Sequence, residues 1–182
     1  FFRGIRYPYI TNATPNKRHD GLNIARGAHA VDESVLKTEI NAKGNAVMKL
    51  ESLARMNGFE SSGAHSALFD AELTVKVLGL IKKNQPQTWD TFLRTANKTD
   101  TEVIIKKEKM FTLAEYHFGK NYRYVVAPLH PKYCIHPIYQ WGQAVDLKVD
   151  PIPLLSMSVS ELKSSIKKLK FLKTIRSNKA PI

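Results

Sequence analysis

Apolar residues recur at helical spacing along the first half of the chain and at strand spacing along the second. Leu22, Ala25, Ala28 and Val31 follow one another every third residue, and Asp20 stands where a helix N-cap belongs. The spacing predicts a short helix there, after a loop-like stretch over residues 1–20 rich in Gly, Pro and Asn. Residues 32–46 read as a connection. Val47, Leu50, Leu53 and Ala54 mark a second helix over 48–57. Asn57-Gly58 stops it, because glycine takes left-handed backbone after a helix without strain. A long helix is expected from Ala64 to about Lys83, with Ala67, Leu68, Ala71, Val75, Leu78 and Ile81 on its inner side. Lys82 and Lys83 suit its negative C-terminal end, and Pro86 cannot continue it. Trp89, Phe92 and Leu93 predict a short amphipathic helix over 87–96, and 97–100 read as a polar linker.

From 101 the texture changes. Residues 103–105, 111–116, 122–127, 134–141 and 144–149 are β-branched or aromatic runs split by Gly, Pro and Asn, which predicts a meander of short antiparallel strands. Ser158 and Glu161 have the spacing of a capping box, opening a helix to about Leu169 with Val159, Leu162, Ile166 and Leu169 inward. A last strand is expected over 171–175.

Composition sharpens this division. The 182 residues carry a net charge of +12, of which residues 1–85 hold +4 and residues 86–182 hold +8. Such an excess points to a polyanionic partner, nucleic acid or an anionic membrane. No apolar run approaches the roughly 18–20 residues of a membrane span; the partner expected is nucleic acid, and no membrane. A single cysteine, Cys134, excludes an internal disulfide and fits a reducing, cytoplasmic setting.

The chemistry is concentrated in Ser62-Gly-Ala-His65-Ser-Ala-Leu-Phe-Asp70. A carboxylate holds a hard divalent cation through oxygen, and a neutral imidazole close by takes a proton from an attacking water. On a continuous helix five residues turn about 140°, so His65 has to lie ahead of the first full turn to join Asp70. Elsewhere, His117, His130 and His136 with Cys134 match no zinc spacing, and the His-Pro pairs read as turns. Lys163, Lys167, Lys168, Lys170, Lys173, Arg176 and Lys179 read either as a solvated face or as phosphate contacts. Tyr116, Tyr122, Tyr124, Tyr133, Tyr139 and Trp141 interleave with them, to stack on bases or to fill a core.

The longer string Leu50-x-x-Leu53-x-x-x-Asn57-Gly58, then Ala64-His65-x-Ala67-x-x-Asp70-Ala71, resembles the third motif of DEDD-type 3′→5′ exonucleases that use a histidine. Residues 57–86 resemble bacterial exonuclease I in particular. Phe1-Phe2-Arg3, Val125–Leu129 with His130-Pro131, Val145-Asp146-Leu147 and Pro153-Leu154-Leu155 agree in order and nearly in spacing. The resemblance implies an α/β chain. Residues 1–85 would be the C-terminal part of a ribonuclease-H-like exonuclease domain. Residues 86–182 would be a mostly antiparallel β domain, a Src-homology-3-like barrel with helices, that helps enclose single-stranded DNA and is incomplete at its C-terminal end.

The resemblance further implies two Mg²⁺ ions held by four carboxylates, with Asp70 the fourth of these ligands and His65 the general base. It also implies a single-stranded-DNA-binding protein as partner, and a monomer. The family's first acidic motif, an Asp-x-Glu on an opening strand, is absent: the Asp-x-Glu at Asp70-Ala-Glu72 lies inside a helix where its two side chains diverge by about 200°. The expectation is an internal piece of a 3′→5′ exodeoxyribonuclease that releases 5′-mononucleotides in the whole protein but is inactive by itself. The long helix would then expose an apolar face. The alternative is a non-catalytic, basic nucleic-acid-binding module; a basic partner-binding scaffold is the third reading.

Overall fold

The helix expected after Asp20 is present. In the computed structural model, which describes residues 15–17, 19–61, 66–96, 98–117 and 119–176, α1 spans Gly21–Val31. The Asp20 carboxylate accepts from the Leu22 and Asn23 N–H groups at 3.0 and 3.2 Å, satisfying donors that a helix start leaves without partners. A 3₁₀ turn, Glu33–Val35, leads into a small antiparallel hairpin of β1 (Glu39–Ile40) and β2 (Ala46–Val47) inside the stretch read as a plain connection. The second helix, α2 (Leu50–Met56), ends as expected. Gly58 adopts φ +83°, its N–H donates to Arg55 C=O, and Phe59 N–H donates to Ala54 C=O, the paired bonds of a Schellman stop.

The long helix, α3, runs Ala67–Asn84 behind a Ser66 cap; Ala64 and His65 lie outside the described residues. Its buried face differs from the expected one. Leu73, Val77 and Ile81 are buried, whereas Leu68 and Val75 are 73% and 72% exposed. Val75 stands about 200° around the helix from Leu73, so the two apolar lines cannot both face one core. α4 (Pro86–Leu93) sends Phe92 into that same core, beside Ile24, Ala28, Leu36, Leu53 and Leu73.

Residues 98–107 correct two expectations. Neither a linker nor a strand forms there; the segment is helix α5 (Lys98–Lys107). Glu102 pairs with Lys98 and Lys106 one turn away on each side, and Lys106 and Lys107 suit the helix end. Ile104 and Ile105 are buried, and Ile105 joins a second core with Leu113, Val126, Cys134, Ala144 and Ile175.

That second core lies against a four-stranded antiparallel sheet in the order β3 (Phe111–His117), β4 (Lys120–Pro128), β5 (Gly142–Asp146), β6 (Leu172–Ile175). The expected meander is therefore present, but residues 134–141 are turns, joined to the sheet by a single bridge from Ile135 to Gly142. Pro131 and Pro137 cannot donate to a ladder. The preceding histidines accept instead: His130 Nδ1 from Lys132 N–H, and His136 Nδ1 from Ile138 and Tyr139 N–H.

Between β5 and β6 lie the one-turn α6 (Ile152–Leu155) and α7 (Val159–Leu169), the latter opened by the expected Ser158–Glu161 capping box. The inward face read for α7 is only partly used. Leu162 and Ile166 are half-buried, while Val159 and Leu169 face water.

α1 joins the two halves by packing on α3 and on β3 and β4. Tyr116 O–H donates to Ala46 C=O at 2.9 Å, and the Arg26 guanidinium lies 4.4 Å from the Tyr116 ring centre. Asn121 Nδ2 lies 2.6 Å from buried His29 Nδ1; as the amide is oriented it donates, which requires that ring nitrogen to be unprotonated. Burial pushes the His29 pKa down, against the raising effect of Glu33 and Asp32.

Two outcomes follow from this packing. A Cβ on buried Gly142 would run into Ile105 Cδ1 and sit 3.2 Å from Ile175 Cβ. Gly142→Ala is expected to lower stability by about 1–3 kcal/mol, more than the chain-entropy gain returns. The urea midpoint should shift down, and Ile105→Val, which removes that methyl, should recover part of it.

Because His29 has a lowered pKa when folded, the unfolded chain binds its proton first. Stability is then complete above the ordinary histidine pKa of about 6.5 and falls as the pH drops through and below it. Urea midpoints between pH 7.5 and 5 should fall more steeply for the wild-type chain than for His29→Gln.

Candidate active-site cleft and nucleic-acid interface

Asp70 lies in the first turn of α3, half-buried, where the positive end of the helix steadies a carboxylate. It lines a cleft of about 1200 Å³ walled by α1, the β1–β2 hairpin, α2 and α3. The lining is apolar at Ala25, Leu53, Val77 and Leu78, and charged at Arg26, Glu39 and Arg55. Glu39 is ion-paired with Arg55 and accepts from Ser52 Oγ at 2.9 Å; these bonds, that to Arg55 first, hold its carboxyl below the usual range. Glu39 was not singled out in the sequence. It reaches the cleft because the hairpin folds residue 39 back onto residues 52 and 55, which no local spacing announces.

His65, the other residue read as catalytic, lies outside the described residues. Asp70 supplies one hard oxygen donor group, and among the described residues no three His, Cys, Asp or Glu gather where a metal ion could be held. One carboxylate does not hold two divalent cations. The described residues therefore do not fit the two-ion site that the family resemblance implies.

A second concavity is electropositive. A groove of about 790 Å³ runs between α7 and the face of the sheet formed by β3, β4 and β6. Lys167 and Lys170 line it from the helix side, Lys173 and Arg176 from β6 and its exit, and Tyr122 and Tyr124 from β4. Lys170 caps α7 at φ +50°, the left-handed turn that reverses the chain into β6. Tyr122 and Tyr124, two apart on one strand, share a face; their ring planes are within 9° and their centres 6.2 Å apart. Lys173 Nζ stands 3.4 Å from the Tyr124 ring centre and 4.0 Å from Asp146 Oδ2. Burial, then the charge of Glu115, raises the Tyr124 pKa, so its ring stays neutral and its hydroxyl protonated. His117 pairs with Glu115 at the far lip of the groove.

The structure thus selects among the basic run. Lys167, Lys170, Lys173 and Arg176 converge, Lys163 and Lys168 do not line the groove, and Lys179 lies outside the described residues. Tyr116 is taken by Ala46 and Arg26 and is no platform. His130 and His136 serve their turns. His117 as a groove residue and His29 as a buried contact were missed; the i, i+2 alternation of Glu115 and His117 was the signal available for the former. A trough of cations floored by aromatic rings suits a chain of phosphates carrying flat bases.

No family model matches the chain. Among curated proteins it is 30% identical to exodeoxyribonuclease I of Haemophilus influenzae, in an alignment that covers all of this chain and 41% of that protein. Among solved structures, E. coli exonuclease I in complex with a dT13 oligonucleotide matches 94% of this chain and 39% of its own at 27% identity, with a TM-score of 0.70. An ExoI/SSB-Ct complex matches with a TM-score of 0.68 at 26% identity. The chain spans about two fifths of the length of these relatives. The α/β class expected from the sequence, with its antiparallel sheet in the second half, is the fold of these neighbours.

Proposed function

We propose, from the premise that the chain is a part of a bacterial exodeoxyribonuclease I, that it supplies a single-stranded DNA path and one acidic corner of a 3′→5′ exonuclease site. The observation that carries this reading is a groove lined by Lys167, Lys170, Lys173 and Arg176 in a chain that superimposes over 94% of its length on an oligonucleotide-bound exonuclease I. The whole enzyme then releases 5′-mononucleotides with Mg²⁺ in the cytoplasm. Asp70 is one metal-binding carboxylate of that enzyme, and His65 is the base that takes the proton of the attacking water.

In this reading residues 1–85 serve the hydrolytic site and residues 86–182 the DNA path. A single-stranded-DNA-binding protein is the partner, in keeping with the SSB-Ct complex of the neighbour. The chain by itself is inactive, because Asp70 is the single carboxylate of the set that the motif match assigns to it. The second reading, a nucleic-acid-binding module without catalysis, is favoured by the groove lying wholly within residues 113–176.

Two experiments test the proposal. With Mg²⁺ and a single-stranded oligonucleotide, the 182-residue chain should release no mononucleotide, measured by thin-layer chromatography of end-labelled DNA. Fused behind the corresponding upstream part of a relative, it should digest from a free 3′ end, and Asp70→Ala and His65→Ala should each abolish that digestion. Persistent digestion by the Asp70→Ala fusion, or none by the unaltered one, would favour the binding module.

The second experiment addresses the path itself. Lys167→Ala with Lys170→Ala should weaken oligonucleotide binding to a similar extent on every sequence. The slope of log K against log salt should flatten by about 0.7 for each phosphate that the protein no longer neutralises. Fluorescence anisotropy at several salt concentrations gives both numbers.

A further inference from the structure

Residues 129–141, between β4 and β5, form no strand, yet they hold an ordered stack of rings at the surface. The Tyr139 and Trp141 ring centres lie 4.6 Å apart with planes within 17°, and His136 lies 4.9 Å from Tyr139. The Arg176 guanidinium lies 4.2 Å from the Trp141 ring centre. Tyr139 is 58% exposed and its neighbour Ile138 78%, and Tyr139 and Trp141 belong to neither core.

The turn beneath the stack is well tied. His136 Nδ1 accepts two backbone N–H bonds, His136 N–H donates to Trp141 C=O at 2.7 Å, and Gln140 Nε2 donates to Pro137 C=O at 2.8 Å. A rigid turn that holds a ring stack at the surface, with His136 at one end and Arg176 at the other, offers it without an ordering cost on binding.

Charge identifies what such faces receive. Residues 129–141 contain no Asp or Glu, and Lys132 stands over the neighbouring Tyr133 ring. Arg176 belongs to both places: it lines the basic groove and lies on the ring stack. A strand whose phosphates follow the groove reaches Arg176 and, past it, these rings.

We propose that the His136–Tyr139–Trp141 stack is a second contact for single-stranded DNA, receiving unpaired bases of a strand that leaves the groove past Arg176. The proposal rests on the DNA-path reading above and adds length to its footprint. Arg176 bridges a phosphate, as a cation in the groove, to the stack, as a planar group on Trp141. Base stacking on such rings tolerates any sequence, so the platform extends binding without selecting bases.

Trp89 and Trp141 are the two tryptophans, so a Trp89→Phe chain reports on Trp141 alone. That chain is titrated with oligothymidylates of increasing length. Anisotropy of a label on the DNA follows binding, and tryptophan emission follows stacking. Quenching is expected to appear only beyond the length that first binds. Tyr139→Ala should lower affinity about tenfold for the longer strands and leave the shortest binding strands unchanged, whereas Tyr139→Phe, which keeps the ring, should behave as wild type.

Binding without quenching at any length overturns the platform while the groove reading stands. So does an equal loss for Tyr139→Ala on short and long strands, or preferential quenching by an acidic peptide. Absence of all oligonucleotide binding overturns the DNA-path reading and this proposal with it.

Discussion

The seating of α1 between the helical core and the β3–β4 hairpin is the contact on which the rest of the arrangement depends. One face of α1 buries Ile24, Ala25 and Ala28 against α3 and its neighbours, while Arg26 and His29 reach the hairpin through Tyr116 and Asn121. Small residues at Gly27, Ala28 and Ala30 allow the close approach. Two otherwise separate cores are thereby held in one orientation. β3 then works on both sides: Tyr116 lines the cleft that holds Asp70, and Glu115 and His117 line the basic groove. Alternation along one strand places the cleft and the groove back to back.

Electrostatics sets the groove apart from the cleft. The second half of the chain carries twice the net positive charge of the first. The cleft lining balances Arg26, Lys49 and Arg55 against Glu39, Glu51 and Asp70, with Glu39 and Arg55 ion-paired. In the groove, Lys173 is shared between Asp146 and the face of Tyr124, while Lys167, Lys170 and Arg176 face the same hollow. A low-dielectric floor of tyrosine rings beneath converging cations strengthens their field in the hollow. The cleft that Asp70 lines, by contrast, mixes apolar side chains with charges of both signs, and no group of three metal-binding side chains assembles there among the described residues.

The places where spacing misled share a cause. Residues 103–105 are β-branched, yet Glu102 with its two lysines and the burial of Ile104 and Ile105 make that segment helical, since tertiary packing overrides propensity. Residues 134–141 are aromatic enough for a strand, but two prolines withhold donors and two histidines satisfy the turns. α3 has two apolar lines, and only the core could choose the one through Leu73, Val77 and Ile81. In α7 the capping box was legible because it is local, while the covering of Leu162 and Ile166 but not of Val159 and Leu169 was not.

Local chemistry was therefore written in the chain itself: the Asp20 and Ser158 caps, the Asn57-Gly58 stop, the antiparallel meander and the basic second half. These depend on neighbours a few residues apart, whose geometry is set by backbone hydrogen bonding and turn sterics. Tertiary structure decided which apolar line of α3 is buried, which four cations of a longer basic run converge, and that Glu39 joins Asp70 in one cleft. It also decided that Arg176 lies on Trp141. Those pairings join residues up to tens of positions apart, and burial of the two cores against α1 brings them together.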